Sequence, residues 1–96
     1  MKRDTVLKIL ATRQEHLQTM GVKSLDLFGS VARDEASDRS DVDLLVEFDR
    51  PMSLFDFSRV KFYLEDILGC SVDMGTRKDL RQKLRDRVIE ESIRAF

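Results

Sequence analysis

The chain has 96 residues, 42% of them hydrophobic and 36% charged, which is the composition of a globular protein and predicts one domain spanning residues 1–96. Its 17 basic and 18 acidic side chains give a net charge of −1, which argues against direct nucleic-acid binding because duplex-binding domains carry a basic surface. No stretch approaches the roughly 20 apolar residues of a membrane span or the apolar run of a signal peptide, so we expect a cytoplasmic protein without membrane attachment.

The spacing of apolar residues predicts helices and strands along the whole chain. The predicted elements are, in order, a helix over 4–20, a strand over 22–28, a helical turn over 30–33, a polar loop over 35–40, a strand over 41–48, a helix from Ser53 to about Leu68, a strand over 71–75 and a final helix striped by Leu84, Val88, Ile93 and Phe96. Thr76 and Asp79 resemble a weak capping box for that last helix. Helices on one face of a small mixed β-sheet, with the other face partly open, are the simplest packing of this order, so we predict a two-layer α+β fold.

Two carboxylates stand out on the strand predicted over 41–48. Its even-numbered residues are apolar and form one face, so Asp41 and Asp43 project together from the other face, with Cα atoms about 6–7 Å apart. Carboxylates this close repel each other unless a cation lies between them, and Mg²⁺ binds carboxylate oxygens while keeping positions for phosphates. Asp73, on the short strand over 71–75, is a candidate third ligand. Three carboxylates would hold two metal ions about 3.5–4 Å apart, which stabilises the attacking and leaving oxygens of a phosphoryl displacement.

The Gly29-Ser30 turn is a candidate phosphate site between the two strands. Gly29 lets the backbone approach a ligand closely, and the following turn would direct free N–H groups and the Ser30 hydroxyl towards an anion. Taken singly, a Gly-Ser pair is usually a plain turn, and an Asp-x-Asp strand is usually a solvated face. The conjunction of Gly-Ser, about ten residues, Asp-x-Asp and a third acidic residue on a later strand favours an active site.

The segment GSVARDEASDRSDVDLLVEF resembles the signature of the minimal nucleotidyltransferases, small members of the DNA polymerase β-like nucleotidyltransferase superfamily. The resemblance covers nearly the whole chain, because the order of elements also fits. The family often has glycine after the Ala-Arg pair, where this chain has Asp34, and Asp tolerates a left-handed turn better than most residues. The family pattern is matched here by Gly29, Ser30, Asp41, Asp43 and Asp73.

The resemblance implies that a nucleoside monophosphate passes from a nucleoside triphosphate such as ATP to an acceptor hydroxyl, with Mg²⁺ and with release of pyrophosphate. Asp41 and Asp43 would hold two metal ions, and Asp73 would share the ion that activates the acceptor and serve as its general base. Gly29 and Ser30 would hold the β- and γ-phosphates. Further candidate phosphate contacts, at least two of which are better explained as solvated surface residues, are Arg33, Arg39, Arg77 and Lys78.

The resemblance also implies a protein partner. The minimal family is similar to the antitoxins of bacterial and archaeal toxin–antitoxin pairs, in which the antitoxin is implied to adenylylate a tyrosine of a HEPN ribonuclease toxin. On the helix predicted from Ser53, Phe55 and Phe62 share the side opposite the core stripe, because seven residues make nearly two full turns. An exposed pair would suit a partner surface, and the alternative is that the final helix covers it.

Three functional interpretations follow from the sequence. The first is an enzyme that transfers AMP to its protein partner, and the second is a binding module that neutralises a toxin by occlusion alone. The clustered carboxylates favour the first, because a pure binder has no use for acids that repel each other. The third, a free-standing transferase for a small molecule or RNA, fits less well with the near-neutral charge and the missing acceptor domain. The sequence leaves homodimerisation open.

Overall fold

The computed structural model describes residues 2–35, 41–76 and 90–96. Its elements are α1 (Arg3–Thr12), α2 (Gln14–Thr19), β1 (Val22–Phe28), α3 (Gly29–Ala32), β2 (Val42–Phe48), α4 (Leu54–Leu68), β3 (Val72–Gly75) and β4 (Ile93–Arg94). The strands form one sheet in the order β3-β2-β1-β4, in which β1 is antiparallel to β2 and β4 whereas β2 is parallel to β3. The predicted mixed sheet and α+β fold are confirmed. None of the described helices is long and apolar enough to cross a membrane.

The helices cover one face of the sheet because their apolar residues share a core with alternate residues of the strands. Leu10 of α1 and Leu64 of α4 are fully buried, as are Leu27 of β1 and Leu44 of β2, and all four belong to one hydrophobic cluster. Because successive side chains of a strand point to opposite faces, the residues between these apolar positions project from the other face. The second face is therefore the one available for chemistry.

The helix predicted from Ser53 is confirmed as α4, and both of its ends are capped. The Ser53 hydroxyl accepts a hydrogen bond from the Asp56 N–H at 3.2 Å, and the Asp56 carboxylate accepts one from the Ser53 N–H at 3.4 Å, which completes a capping box. Gly69 ends the helix in the left-handed conformation, with φ of 70°. These caps fix the start and end of α4.

The single helix predicted over 4–20 is instead two helices, α1 and α2, which separate at Arg13. The Thr12 hydroxyl donates to the Ile9 carbonyl at 2.7 Å, and the Arg13 N–H donates to the Leu10 carbonyl at 3.2 Å. Such bonds between residues three apart tighten the last turn and end the regular helix. The apolar spacing did not reveal the break because Leu17 of α2 is buried in the same core.

The final helix predicted through Ile93 and Phe96 is wrong at the end of the chain, where β4 forms. Ile93 pairs with Leu27 and Arg94 pairs with Asp26, so these residues extend the sheet beyond β1. The physical reason is that this edge of β1 would otherwise present unpaired N–H and C=O groups. The other residues on which that helix was predicted lie outside the described residues, namely Asp79, Leu84 and Val88.

Candidate active site

Two of the predicted carboxylates meet where β1, β2 and β3 lie side by side. Phe28, at the end of β1, pairs with Asp43 of β2, and Asp43 pairs with Asp73 of β3. Paired residues of neighbouring strands project from the same face, and the strands are about 4.8 Å apart. Asp43 and Asp73 therefore stand together on the face opposite the helices, at the end of the sheet where α3 begins.

Gly29 brings the Gly-Ser turn into contact with Asp43. Its φ of 74° lies in the left-handed region, which favours glycine. A Cβ atom built on Gly29 would overlap Asp43 Oδ2 and lie 3.0 Å from Asp43 Cγ. Both the backbone conformation and the contact therefore require glycine, and a ligand on this turn would lie within reach of the Asp43 carboxylate.

Asp43 lies in surroundings that oppose its ionisation. Its pKa is raised to about 6, first by partial burial and then by the negative charges of Asp73 and Asp41 and a side-chain hydrogen bond with Asp73. The Arg33 guanidinium acts in the opposite direction and lowers the pKa of Asp43. A divalent cation between Asp43 and Asp73 would relieve this repulsion, because carboxylate oxygens are the ligands that Mg²⁺ prefers.

Asp41 does not lie in the strand where it was predicted. β2 begins at Val42, whose N–H donates to the Ser71 carbonyl at 3.0 Å, so Asp41 precedes the paired region and is exposed. Within residues 2–35, 41–76 and 90–96, no three carboxylate, imidazole or thiol groups converge on one metal position. Asp43 and Asp73 lie side by side in register, and the charge of Asp41 acts on Asp43. These three side chains offer carboxylate oxygens, the donor type that Mg²⁺ prefers, and they are the described residues that would hold such an ion.

α3 places Ser30 and Arg33 next to the carboxylates. Ser30 is half-buried in the first turn, directly after Gly29. Arg33 ends the helix and donates through Nε to Glu35 at 3.1 Å and through Nη1 to Glu91 at 3.3 Å. Both carboxylates raise the pKa of Arg33, and the hydrogen bond to Glu35 contributes most. The other candidate phosphate contacts lie outside the described residues, namely Arg39, Arg77 and Lys78.

Glu91 is a residue of the site that the sequence did not reveal. It lies two positions before β4, and its contact with Arg33 joins residues 58 positions apart. No local pattern marks such a contact, because it depends on the pairing of β4 with β1. The only signal in the sequence was an acidic residue near the end of the chain.

Asp34 stands where the family often has glycine, and its conformation explains that preference. Its φ is 58°, in the left-handed region that Asp tolerates better than most other residues. Its carboxylate also accepts a hydrogen bond from the Arg3 N–H at 3.3 Å. The turn after α3 is therefore preserved despite the substitution.

The aromatic pair on α4 is exposed, as the interpretation of a partner surface expects. Phe55 is 85% exposed and Phe62 66%. Most of the final helix that was the alternative cover for them lies outside the described residues. Leu54 beside them is 80% exposed. Because α4 packs on the core face of the sheet, this outer patch (Leu54, Phe55 and Phe62) lies on the side of the molecule away from the carboxylates.

Comparison with known proteins identifies the family. A family model for the nucleotidyltransferase domain matches residues 4–95. The chain belongs to this family. The nucleotidyltransferase is 35% identical over 85 residues to protein adenylyltransferase MntA of Thermococcus cleftensis, a match that covers 88% of this chain and 86% of the relative. It is also 44% identical over 73 residues to MJ0435 of Methanocaldococcus jannaschii, which covers 76% of this chain and 78% of that protein.

Solved structures share the fold of this nucleotidyltransferase. One named as a minimal nucleotidyltransferase has a TM-score of 0.83 and 36% identity, and the match covers 97% of this chain and 95% of the other. A chain of a toxin–antitoxin complex with AMP-PNP has a TM-score of 0.71 at 16% identity, covering 100% and 73%. A chain from the Shewanella oneidensis complex of tri-AMPylated HEPN toxin and MNT antitoxin has a TM-score of 0.66 at 15% identity, covering 94% and 71%. The last two show the fold alone, and the first agrees with membership of the minimal nucleotidyltransferases.

Proposed function

We propose that this nucleotidyltransferase transfers AMP from ATP to a tyrosine hydroxyl of a HEPN-type ribonuclease, and so acts as the antitoxin of that toxin. The observation that carries the proposal is the contact between the Gly29 turn and Asp43, which stands beside Asp73. A triphosphate on the turn would have its phosphates at the carboxylates, as nucleotidyl transfer requires. The name of the Thermococcus relative and the HEPN complex among the structural neighbours support a protein acceptor.

The proposed reaction is a displacement at the α-phosphorus of ATP. The acceptor oxygen forms a bond to that phosphorus, the bond to the oxygen bridging the β-phosphate breaks, and pyrophosphate leaves. Two Mg²⁺ ions, held by Asp41, Asp43 and Asp73, would stabilise the charge on the entering and leaving oxygens. Asp73 is exposed on β3, which borders only β2 in the described sheet. An incoming hydroxyl could therefore approach its carboxylate from solvent, and the carboxylate would accept the hydroxyl proton.

The turn and α3 would bind the rest of the triphosphate. Gly29 and Ser30 would hold the β- and γ-phosphates through backbone N–H groups and the Ser30 hydroxyl, which bonds to no residue in the described part of the chain. Arg33 would donate to the same phosphates in charge-assisted hydrogen bonds. These contacts leave the α-phosphorus next to the carboxylates and open to an acceptor brought by the partner.

A second candidate function is neutralisation of the toxin by occlusion, and the outer patch on α4 favours it. Two exposed phenylalanines on a chain of 96 residues form an apolar surface of the kind that proteins use for association. Because the patch lies away from the carboxylates, a partner could bind there without any transfer of AMP. The two candidates differ in whether the partner is covalently modified.

Intact-mass spectrometry of a HEPN-type partner tests the proposal. The partner is incubated with ATP and Mg²⁺ and with the parent chain, Asp41→Asn/Asp43→Asn, or the control Asp66→Asn, whose exposed carboxylate has no described contact. We expect one or more AMP units on the partner with the parent chain and the control, and none with the double variant. An unmodified partner that still forms a stable complex with the parent chain would contradict AMP transfer and favour neutralisation by occlusion.

A further inference from the structure

The Arg33 guanidinium is held by two carboxylates that approach it from different parts of the chain. Glu35 lies two residues away and accepts from Nε at 3.1 Å, whereas Glu91 comes from the end of the chain and accepts from Nη1 at 3.3 Å. All three side chains are partly exposed. Since exposed ion pairs contribute little to stability, this arrangement is better explained by the direction it gives to the guanidinium than by the strength of the pairs.

Glu91 has a fixed position because the segment that follows it is bound to β1. The Ala95 N–H donates to the Leu25 carbonyl at 2.8 Å, and the Leu25 N–H donates to the Phe96 carbonyl at 3.2 Å. Arg94 Nε donates to the buried carboxylate of Asp26 at 2.6 Å. β4 is therefore bound to the sheet by main-chain and side-chain contacts, and it delivers Glu91 to the end of α3.

The two contacts leave Nη2 of the Arg33 guanidinium for a ligand. Arg33 uses Nε and Nη1, and its Nη2 donates to no acceptor in the described part of the chain. The Arg33 charge lowers the pKa of Asp43, and α3, which ends at Arg33, packs against β2, so the guanidinium is close to the carboxylate site. The N–H groups of Nη2 are suited to phosphate oxygens, to which they would donate charge-assisted hydrogen bonds.

We infer that Glu91 is a positioning residue, which through Arg33 sets the affinity of the site for the β- and γ-phosphates of ATP. The inference rests on the proposed function, because it assigns Arg33 to the triphosphate. Glu91 and Glu35 order the Arg33 side chain before the nucleotide arrives, so less rotational freedom is lost on binding. Loss of the Glu91 contact should therefore weaken ATP binding about 3- to 10-fold, the effect of one side chain that must be ordered on binding.

Calorimetric titration with ATP and Mg²⁺ tests the inference with a matched pair of variants. Glu91→Gln removes the charge that pairs with Arg33, and Glu90→Gln removes the same charge from the preceding residue, which is exposed and has no described contact. We expect Glu91→Gln to weaken ATP binding and Glu90→Gln to leave it unchanged. AMP lacks the β- and γ-phosphates, so its affinity should be the same in both variants.

A double-mutant cycle with Arg33→Ala shows whether Glu91 acts through Arg33. In the Arg33→Ala chain, a further Glu91→Gln substitution should have no additional effect on ATP affinity. The inference is overturned by equal ATP affinities of the two Gln variants, by tighter binding in Glu91→Gln, or by an effect of Glu91→Gln that persists without Arg33. A parent chain that binds no ATP would overturn the proposed function as well, so the two failures are distinguishable.

Discussion

The two faces of β2 differ in what they contribute to the molecule. Val42 and Leu44 are fully buried on one face, and Asp43 between them is partly buried on the other with a pKa raised to about 6. The apolar face stabilises the fold, whereas the carboxylate face opposes it, because strand pairing holds Asp43 next to Asp73. Val42 and Leu44 set the direction of Asp43, because a strand that buries both of them must direct the residue between them to the other face.

Gly29→Ala is expected to disrupt the carboxylate face and to leave the core face untouched. The new Cβ would overlap Asp43 Oδ2 at a left-handed backbone position. We expect AMP transfer to fall at least about 100-fold, since catalytic groups misplaced by about 1 Å lose that much. The free energy of unfolding, measured with a denaturant, should fall by about 2 kcal/mol.

Gly69→Ala is the matched control for Gly29→Ala. Gly69 has a similar φ of 70°, but a Cβ there would meet no atom within 4 Å. This variant should lose about 1 kcal/mol of stability to backbone strain and keep its transfer activity. Equal losses of activity in the two variants would show that the contact of Gly29 with Asp43 is not what matters.

Phe55→Ser/Phe62→Ser tests whether the outer patch on α4 serves association rather than folding. Both rings are mostly exposed, so we expect the free energy of unfolding to change by less than about 0.5 kcal/mol. Affinity for the HEPN-type partner, measured by calorimetry, should fall at least about 10-fold, because exposed aromatic residues are the usual anchors of interfaces. Asp66→Ser, on the same side of α4, is the control. An unchanged affinity of the double variant would show that the outer patch does not bind the partner.

The pH dependence of the free energy of unfolding measures how much the ionised Asp43 carboxylate destabilises the folded state. The pKa of Asp43 is raised from 3.8 to about 6 on folding, so its ionisation destabilises the folded state increasingly above pH 3.8 and fully above about pH 6. As the pH falls from 7.5 towards 4.5, Asp43 takes up a proton in the folded state first, and most of the penalty is lost. The stability difference between Asp43→Asn and the parent chain should therefore be largest at pH 7.5 and small at pH 4.5. A stability difference between the two chains that grows on acidification would contradict a raised pKa of Asp43.

The smallest expected effect concerns the left-handed turn at Asp34, which lies outside both faces of β2. Asp34→Gly should leave the free energy of unfolding within about 0.5 kcal/mol of the parent value, because glycine adopts the observed φ of 58° without strain. Asp34→Ala should lose about 1 kcal/mol, since alanine does not. Thermal unfolding of the two variants measures the difference, and equal stabilities would show that φ at this position is not constrained.

The sequence was informative wherever a local pattern determines the outcome. The alternation of β2 directs Asp43 away from the core, the Gly-Ser pair marks the turn beneath it, and Ser53 begins α4. These features depend on neighbours within a few residues.

Asp41 was predicted inside β2 because alternation alone does not say where strand pairing begins. The hydrogen bond between Val42 and Ser71 sets that limit.

Two of the features that the sequence did not predict depend on contacts between distant parts of the chain. Ile93 and Phe96 have a spacing compatible with a helix, but the open edge of β1 recruits Ile93 into β4, and a pattern within one segment cannot show this. The contact of Glu91 with Arg33 follows from that same pairing. The break at Arg13 arises from a local side-chain bond that leaves the apolar spacing unchanged.

We propose that the fold holds Asp43 for catalysis at a cost in stability, and Asp43→Asn probes both properties in one variant. AMP transfer to the partner and the free energy of unfolding are measured at pH 7.5 on the same variant. Raising the pKa of Asp43 from 3.8 to about 6 corresponds to about 3 kcal/mol, which solvent screening of this partly exposed side chain reduces to about 1 kcal/mol. We predict that Asp43→Asn is more stable than the parent chain by about this amount and transfers no AMP. A variant that is less stable than the parent chain, or that still modifies the partner, would contradict the account.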